Sequence, residues 1–226
     1  MREVVIDTET TGLSYKNGDR VTEVGCTELI NHVATENTLQ FYCSSNKRVS
    51  VDAIRISGLT NEFLEKHPPF EKNADKLLDF IQHDTLIIHN ADFDVGFINN
   101  ELKIAGMSPL KNRVIDTVPL ARKTLNTRIA NLDFLCKKFS IDLGERKLHG
   151  ALLDTKLLAE VYLELIGGKQ ISMNLDSSEK IKKTTLENTN IKKAFKLKIS
   201  ASAQEVSEHK ETNKQIKDSG WRKINY

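Results

Sequence analysis

No run of about 18 apolar residues occurs in the 226-residue chain, so a membrane-spanning helix is not expected. Cysteine is scarce. Cys26, Cys43 and Cys136 are odd in number, scattered and without a CxxC pair. That argues against a disulfide framework and leaves buried thiols in a reducing compartment as the expectation. A charged-then-apolar leader is also missing: Met1-Arg2-Glu3 passes directly into Val4-Val5-Ile6. The cytoplasm is the expected location. No internal repeat is visible. The last absence is a basic surplus in the main body. Residues 1–175 hold 21 Lys and Arg against 24 Asp and Glu, whereas residues 176–226 hold 12 against 7. A folded domain that gripped nucleic acid by charge alone would be basic, so either nucleic acid is not the partner or something else delivers it.

With 39% apolar and 28% charged residues, the chain can bury a real core, as one domain or one domain with an appendage. Val4–Ile6 leads a first strand over Glu3–Asp7. Val21–Ile30 and Thr38–Cys43 predict two more, paired, with Asn31-His32 in the turn region between them. Helical spacing runs through Phe70–Gln82, Ala91–Ile104 and Ala151–Ile166, the last stopped by Gly167-Gly168. Thr85–His89 and Val114–Asp116 read as short strands. Asn131 is placed to cap a helix bearing Leu132, Leu135, Cys136 and Phe139. Strands first, then alternating helices and strands, predict an α/β or α+β domain on one mixed sheet.

The chemistry is concentrated in three segments. In Val4-Val5-Ile6-Asp7-Thr8-Glu9-Thr10-Thr11-Gly12, strand alternation sends Asp7 and Glu9 to the same side. Two carboxylates closing an apolar run are costly unless a cation lies between them, and oxygen ligands suit Mg²⁺ or Mn²⁺. The plain alternative is a solvated strand end. Asp94, in His89-Asn90-Ala91-Asp92-Phe93-Asp94, lies where a strand meets a helix. His149 sits in a glycine-containing loop, five residues before Asp154 on a helix. That spacing alone carries little, because His89 and Asp94 share it.

In this order the Asp-Thr-Glu-Thr-Thr-Gly, Asn-Ala-x-Phe-Asp and His-Gly-Ala-x-x-Asp segments resemble the DEDD exonucleases of the histidine subtype. Within them they are most similar to the epsilon proofreading subunits of bacterial DNA polymerase III. The resemblance implies a ribonuclease H-like α/β fold, with a mixed central sheet flanked by helices. It implies Asp7, Glu9, Asp94 and Asp154 as ligands of two Mg²⁺ or Mn²⁺, and His149 as general base. Asp7, Glu9 and Asp154 would also face the substrate, a single-stranded DNA 3′ end. Ser57 stands where many relatives carry His or Thr, near the terminal nucleotide. Asp92, where the family has a small residue, is left out of the ligand set. The implied activity is 3′-5′ removal of nucleotides from DNA. The alternatives are an exoribonuclease of the same subtype and a non-catalytic binding module.

The expected organisation is an exonuclease domain over 1–168, a flexible linker over 169–190 and a tail over 191–226 that orders on a partner. Gln170, Met173 and Leu175 lie in a segment, 170–175, that resembles the clamp-binding peptide of epsilon subunits. The tail resembles their polymerase-binding segment, with Trp221 as an interface anchor. Ser202-Ala203-Gln204-Glu205 has capping-box form and opens a mostly polar helix running to about Lys217. No membrane is implied; the setting is a bacterial cytoplasm, near the nucleoid.

Overall fold

The structure, a computed structural model, describes residues 1–144, 148–167 and 202–215. It divides into two compact units, Met1–Met173 and Asn174–Tyr226. In the first unit β1 (Arg2–Thr10), β2 (Val21–Ile30), β3 (Val33–Tyr42), β4 (Thr85–Ile88) and β5 (Val114–Asp116) form one sheet in the order β3-β2-β1-β4-β5. β1 runs antiparallel to β2 and parallel to β4. The mixed sheet expected from the sequence is therefore present.

Strand alternation divides the core. Val4 and Ile6 of β1 pack on one face with residues of α3 (Ala74–Ile81) and α4 (Ala91–Ile104), including Leu77, Ile81, Phe97 and Ile98. Val5 faces the other side and meets Leu158, Ala159 and Tyr162 of α7 (Ala151–Leu165). β4 pairs with β1 only as far as Val5 opposite Ile87. Beyond that point Asp7 and Glu9 are bonded to β2 alone, so the C-terminal half of β1 has one side open for chemistry.

Other elements depart from the sequence reading. The helix expected over Phe70–Gln82 is a 3-10 turn at Phe70–Lys72 followed by α3, with the break at buried Asn73. Three helices escaped detection: α1 (Val51–Ser57), α2 (Asn61–Leu64) and α5 (Thr117–Leu125). α1 buries none of its residues, and Val51 and Ile56 are exposed, so it leaves no apolar stripe to read. α5 carries Pro119 in its first turn, where proline is tolerated, and is capped by Asp116. α6 (Leu132–Phe139) has the expected cap: Asn131 Oδ1 accepts from Phe134 N at 2.8 Å. All three cysteine side chains are buried and no disulfide joins them.

Two ties fix the elements around β1. The carboxylate of Glu101, fully buried on α4, receives Arg20 Nε at 2.7 Å, Arg20 Nη2 at 2.6 Å and Val21 N at 3.1 Å. Breaking one side of such a buried pair costs about 3–5 kcal/mol. Gly12, in the turn after β1, lies so near the Asp19 carboxylate that a Cβ would come within 2.5 Å of its oxygen. Asp19 in turn accepts from Ser14 N, closing that turn. The second unit contains α8 (Ala203–Gln215). Its capping box is formed, with Glu205 N donating to Ser202 Oγ and Ser202 N to Glu205 Oε2. No helix among the described residues is long and apolar enough to cross a membrane.

Candidate active site

Four acidic side chains converge at the open end of β1. Asp7 and Glu9 are half-buried on the strand, while Asp94 and Asp154 are 3% and 5% exposed. Asp94 is placed by the first turn of α4. Its Oδ1 accepts from Thr8 N at 3.0 Å and Thr8 Oγ1 at 2.7 Å, filling the gap left where β4 ends. The start of α4 is held in turn by Asp116, whose oxygens accept from Asn90 N and Ala91 N, each at 3.1 Å. Asn90 itself has φ of 68°, a turn conformation asparagine tolerates. Asp92 on the same turn is exposed.

Asp154 enters from α7 on the opposite face, and His149 from the loop before it. His149 Nδ1 is 3.3 Å from Asp154 Oδ2, and His149 N donates to Ile56 O at 2.9 Å. Glu9, His149 and Asp154 each offer a ligand atom, all within 4.8 Å of one another. His89, which has the same spacing to an aspartate in the sequence, behaves differently. Its Nδ1 bonds Thr117 Oγ1 at 2.8 Å, and burial holds its imidazole below the ordinary value.

The electrostatics are those of an acidic cluster in need of a cation. Burial pushes the Asp7 carboxyl well above the usual carboxylate range, and the charges of Asp94, Glu9, Asp154 and Glu23 push the same way. Burial raises Asp94 to about 7, opposed by its bonds from Thr8. Oxygen donors at this density fit hard divalent ions and fit little else.

A stability prediction follows for protein stripped of metal. Asp94 holds a proton up to about pH 7 when folded but only to about 4 when unfolded. The stability that proton contributes is complete below about pH 4 and is lost as pH rises through about 7. In EDTA, wild type therefore loses Tm between pH 5 and pH 8 relative to Asp94→Asn, and saturating Mn²⁺ removes the difference. Parallel melting profiles for the two proteins in EDTA would refute the reading.

Beside Glu9 lies a cavity of about 210 Å³, whose lining includes Thr10, Leu13, Ala53, Ile56 and Phe93. Leu13 is 87% exposed, an uncovered apolar side chain at the mouth. Ser57 belongs to the same helix as Ala53 and Ile56, but its hydroxyl donates to Ala53 O and accepts from Leu59 N. Ser57 is not among the residues that line the cavity. The sequence reading passed over Leu13, Phe93, Asp116 and Glu23. The last had a signal, a charge inside the apolar strand Val21–Ile30. Gln170, Met173, Leu175 and Trp221 lie outside the described residues, as do the linker and most of the tail.

The exonuclease family model RNase_T matches residues 4–162. The chain is 40% identical over 217 residues to the DNA polymerase III subunit epsilon of Rickettsia felis, covering 93% of this chain and 95% of that one. With the subunit of the same name from Escherichia coli K12, identity is 34% over 220 residues, covering 92% and 90%. Among solved structures, the nuclease domain of 3'hExo, a DEDDh family member bound to rAMP, matches with a TM-score of 0.65 at 17% identity. It covers 74% of this chain and 92% of that one, a likeness of fold.

Proposed function

From the premise that this chain belongs to the RNase_T exonuclease family, and within it to the epsilon subunits of bacterial DNA polymerase III, we propose how its residues perform the work. The protein is a 3′-5′ exonuclease, and its activity depends on divalent metal. Its task is removal of nucleotides from DNA 3′ ends, as proofreader for the replicative polymerase in the bacterial cytoplasm. The observation that carries the reading is the meeting of Asp7, Glu9, Asp94 and Asp154 from three elements, with His149 3.3 Å from Asp154.

Asp7, Glu9, Asp94 and Asp154 would hold two Mg²⁺ or Mn²⁺. When bound, such ions activate a water and offset the charge of the phosphodiester and the leaving 3′ oxygen. The acids orient that chemistry by their fixed positions on β1, α4 and α7. His149, whose Nδ1 lies 3.3 Å from Asp154, would take the proton of the attacking water. Its side chain is 47% exposed, so the ring can reach a water at the site. Leu13, Ile56 and Phe93 give the terminal nucleoside an apolar wall, and Ser57 lies one helix turn from Ala53 at its edge.

His149→Ala should reduce kcat by about 10²–10⁴-fold, the usual contribution of a general base, while Mn²⁺ binding persists. Near-wild-type kcat in His149→Ala, with hydrolysis rate-limiting, would remove His149 from this role. The test of the whole reading is the purified chain with Mg²⁺ on end-labelled single-stranded DNA and RNA of the same sequence. Stepwise shortening of DNA from the 3′ end supports it. Shortening of RNA alone would make the protein an exoribonuclease, and binding without shortening a non-catalytic module.

A further inference from the structure

β2 carries a carboxylate in a place built for apolar side chains. Glu23 is 2% exposed. It stands opposite Glu9 on one side and Tyr42 on the other, so all three side chains lie on the α7 face of the sheet. Gln40 Nε2 donates to Glu23 Oε1 at 2.7 Å, and the backbone N–H dipoles of Ala151 and Leu152 favour the charge of the same carboxylate, against the burial that raises its pKa. Ala151 and Leu152 are the first two residues of α7. The N-cap of that helix, Gly150, supplies no side-chain bond. The donors of the helix start thus face a buried carboxylate on a neighbouring strand.

Two further positions on that face of β2 match the same turn. A Cβ on Gly25 would fall 2.4 Å from Ala151 C and Leu152 N, so only bare backbone lets the helix come down so close. Thr27 Oγ1 lies 2.8 Å from Thr155 Oγ1. Glu23, Gly25 and Thr27 together form a seat: a negative charge under the positive helix end, an absent side chain, and a hydroxyl. His149 leaves the helix at this turn and Asp154 lies within it.

We propose that Glu23 is a positioning residue, which sets α7 on the sheet and thereby places Asp154 and His149 against Asp7 and Glu9. The catalytic consequence rests on the exonuclease reading above; the docking does not. A displacement of 1 Å at a reacting group can cost on the order of 10²-fold in rate, so a small shift of this turn is enough to matter.

The experiment uses the full chain with Glu23→Ala and Glu23→Gln, and Leu29→Ala as a control. Leu29 is buried on the same face and packs in the α7 cluster, but pairs with Glu3, at the other end of β1 from Asp7 and Glu9. In Glu23→Ala, NMR hydrogen exchange at the Ala151 and Leu152 amides should accelerate. Mn²⁺ affinity by calorimetry should weaken by about 10–100-fold, the usual effect of losing an outer support of a ligand. On single-stranded DNA kcat should fall with KM little changed. Glu23→Gln, which keeps an acceptor oxygen, should recover part of each loss. Leu29→Ala should lower Tm and leave Mn²⁺ affinity alone. Unaltered exchange at residues 151 and 152 in Glu23→Ala would overturn the proposal, as would an equal loss of Mn²⁺ affinity in Leu29→Ala. If the exchange and Mn²⁺ results hold but the wild-type chain shortens no nucleic acid, the docking stands and the exonuclease reading falls.

Discussion

Hydrolysis of single-stranded DNA should fall by more than about 10³-fold when Asp7 or Glu9 is replaced by alanine, because even the outer supports of a metal ligand are worth about 10–100-fold. The loss should come without unfolding. Asp7 is surrounded by the charges of Asp94, Glu9, Asp154 and Glu23, all of which oppose its ionisation. Removing one carboxylate from that cluster relieves repulsion in the metal-free protein. Asp7→Asn should therefore melt at or above the wild-type Tm in EDTA, and lose the stabilisation that Mn²⁺ gives wild type. An ordinary buried polar residue behaves in the opposite way, since its loss leaves partners unsatisfied. Circular dichroism melts with and without Mn²⁺, beside a gel assay on a labelled oligonucleotide, separate the cases. Near-wild-type activity in either alanine variant would end the metal-site reading.

The elements that place the acids were mostly legible because burial wrote them into the pattern. Val4, Val5 and Ile6 lie in cores on alternate faces, and that alternation also predicted that Asp7 and Glu9 share a side. α4 and α7 showed helical spacing because they pack on the sheet. α1 did not, since it buries none of its residues, and its exposed Ile56 lines the cavity beside Glu9, a position for which burial gives no signature. Periodicity likewise ran Phe70–Gln82 together, since the 3-10 turn and α3 bury Phe70, Leu77 and Ile81 on one continuous stripe. Nor could spacing tell His149 from His89. The difference is tertiary: one imidazole meets Asp154 and the other bonds Thr117. Glu23 was visible as an anomaly, but its meaning depends on Gly25 admitting α7, a contact between residues more than a hundred positions apart.

The charge division leads to the last expected result. The body of the chain is acidic, with 21 Lys and Arg against 24 Asp and Glu over residues 1–175, and its site adds a dense negative cluster. Such a domain gains little from counterion release on DNA and needs its substrate supplied at high local concentration, which tethering to a polymerase provides. Residues 202–215 contain α8, whose only large apolar residue, Val206, is half-buried. A polar helix of that length draws little stability from itself. Cutting the chain after Leu175 should thus leave exonuclease activity on free single strands nearly intact, because every proposed catalytic residue lies at or before Asp154. The same cut should abolish co-elution with the polymerase catalytic subunit, and Trp221→Ala should weaken it. A clamp contact through Gln170, Met173 and Leu175 would survive the cut and be lost on replacing those residues with alanine. If the tail instead held DNA by its 12 Lys and Arg against 7 acids, truncation would weaken single-strand binding directly. The full chain would then show a steep salt dependence that the short form lacks. Activity and DNA binding of both forms at two salt concentrations, with no polymerase present, decide between delivery by a partner and grip by charge.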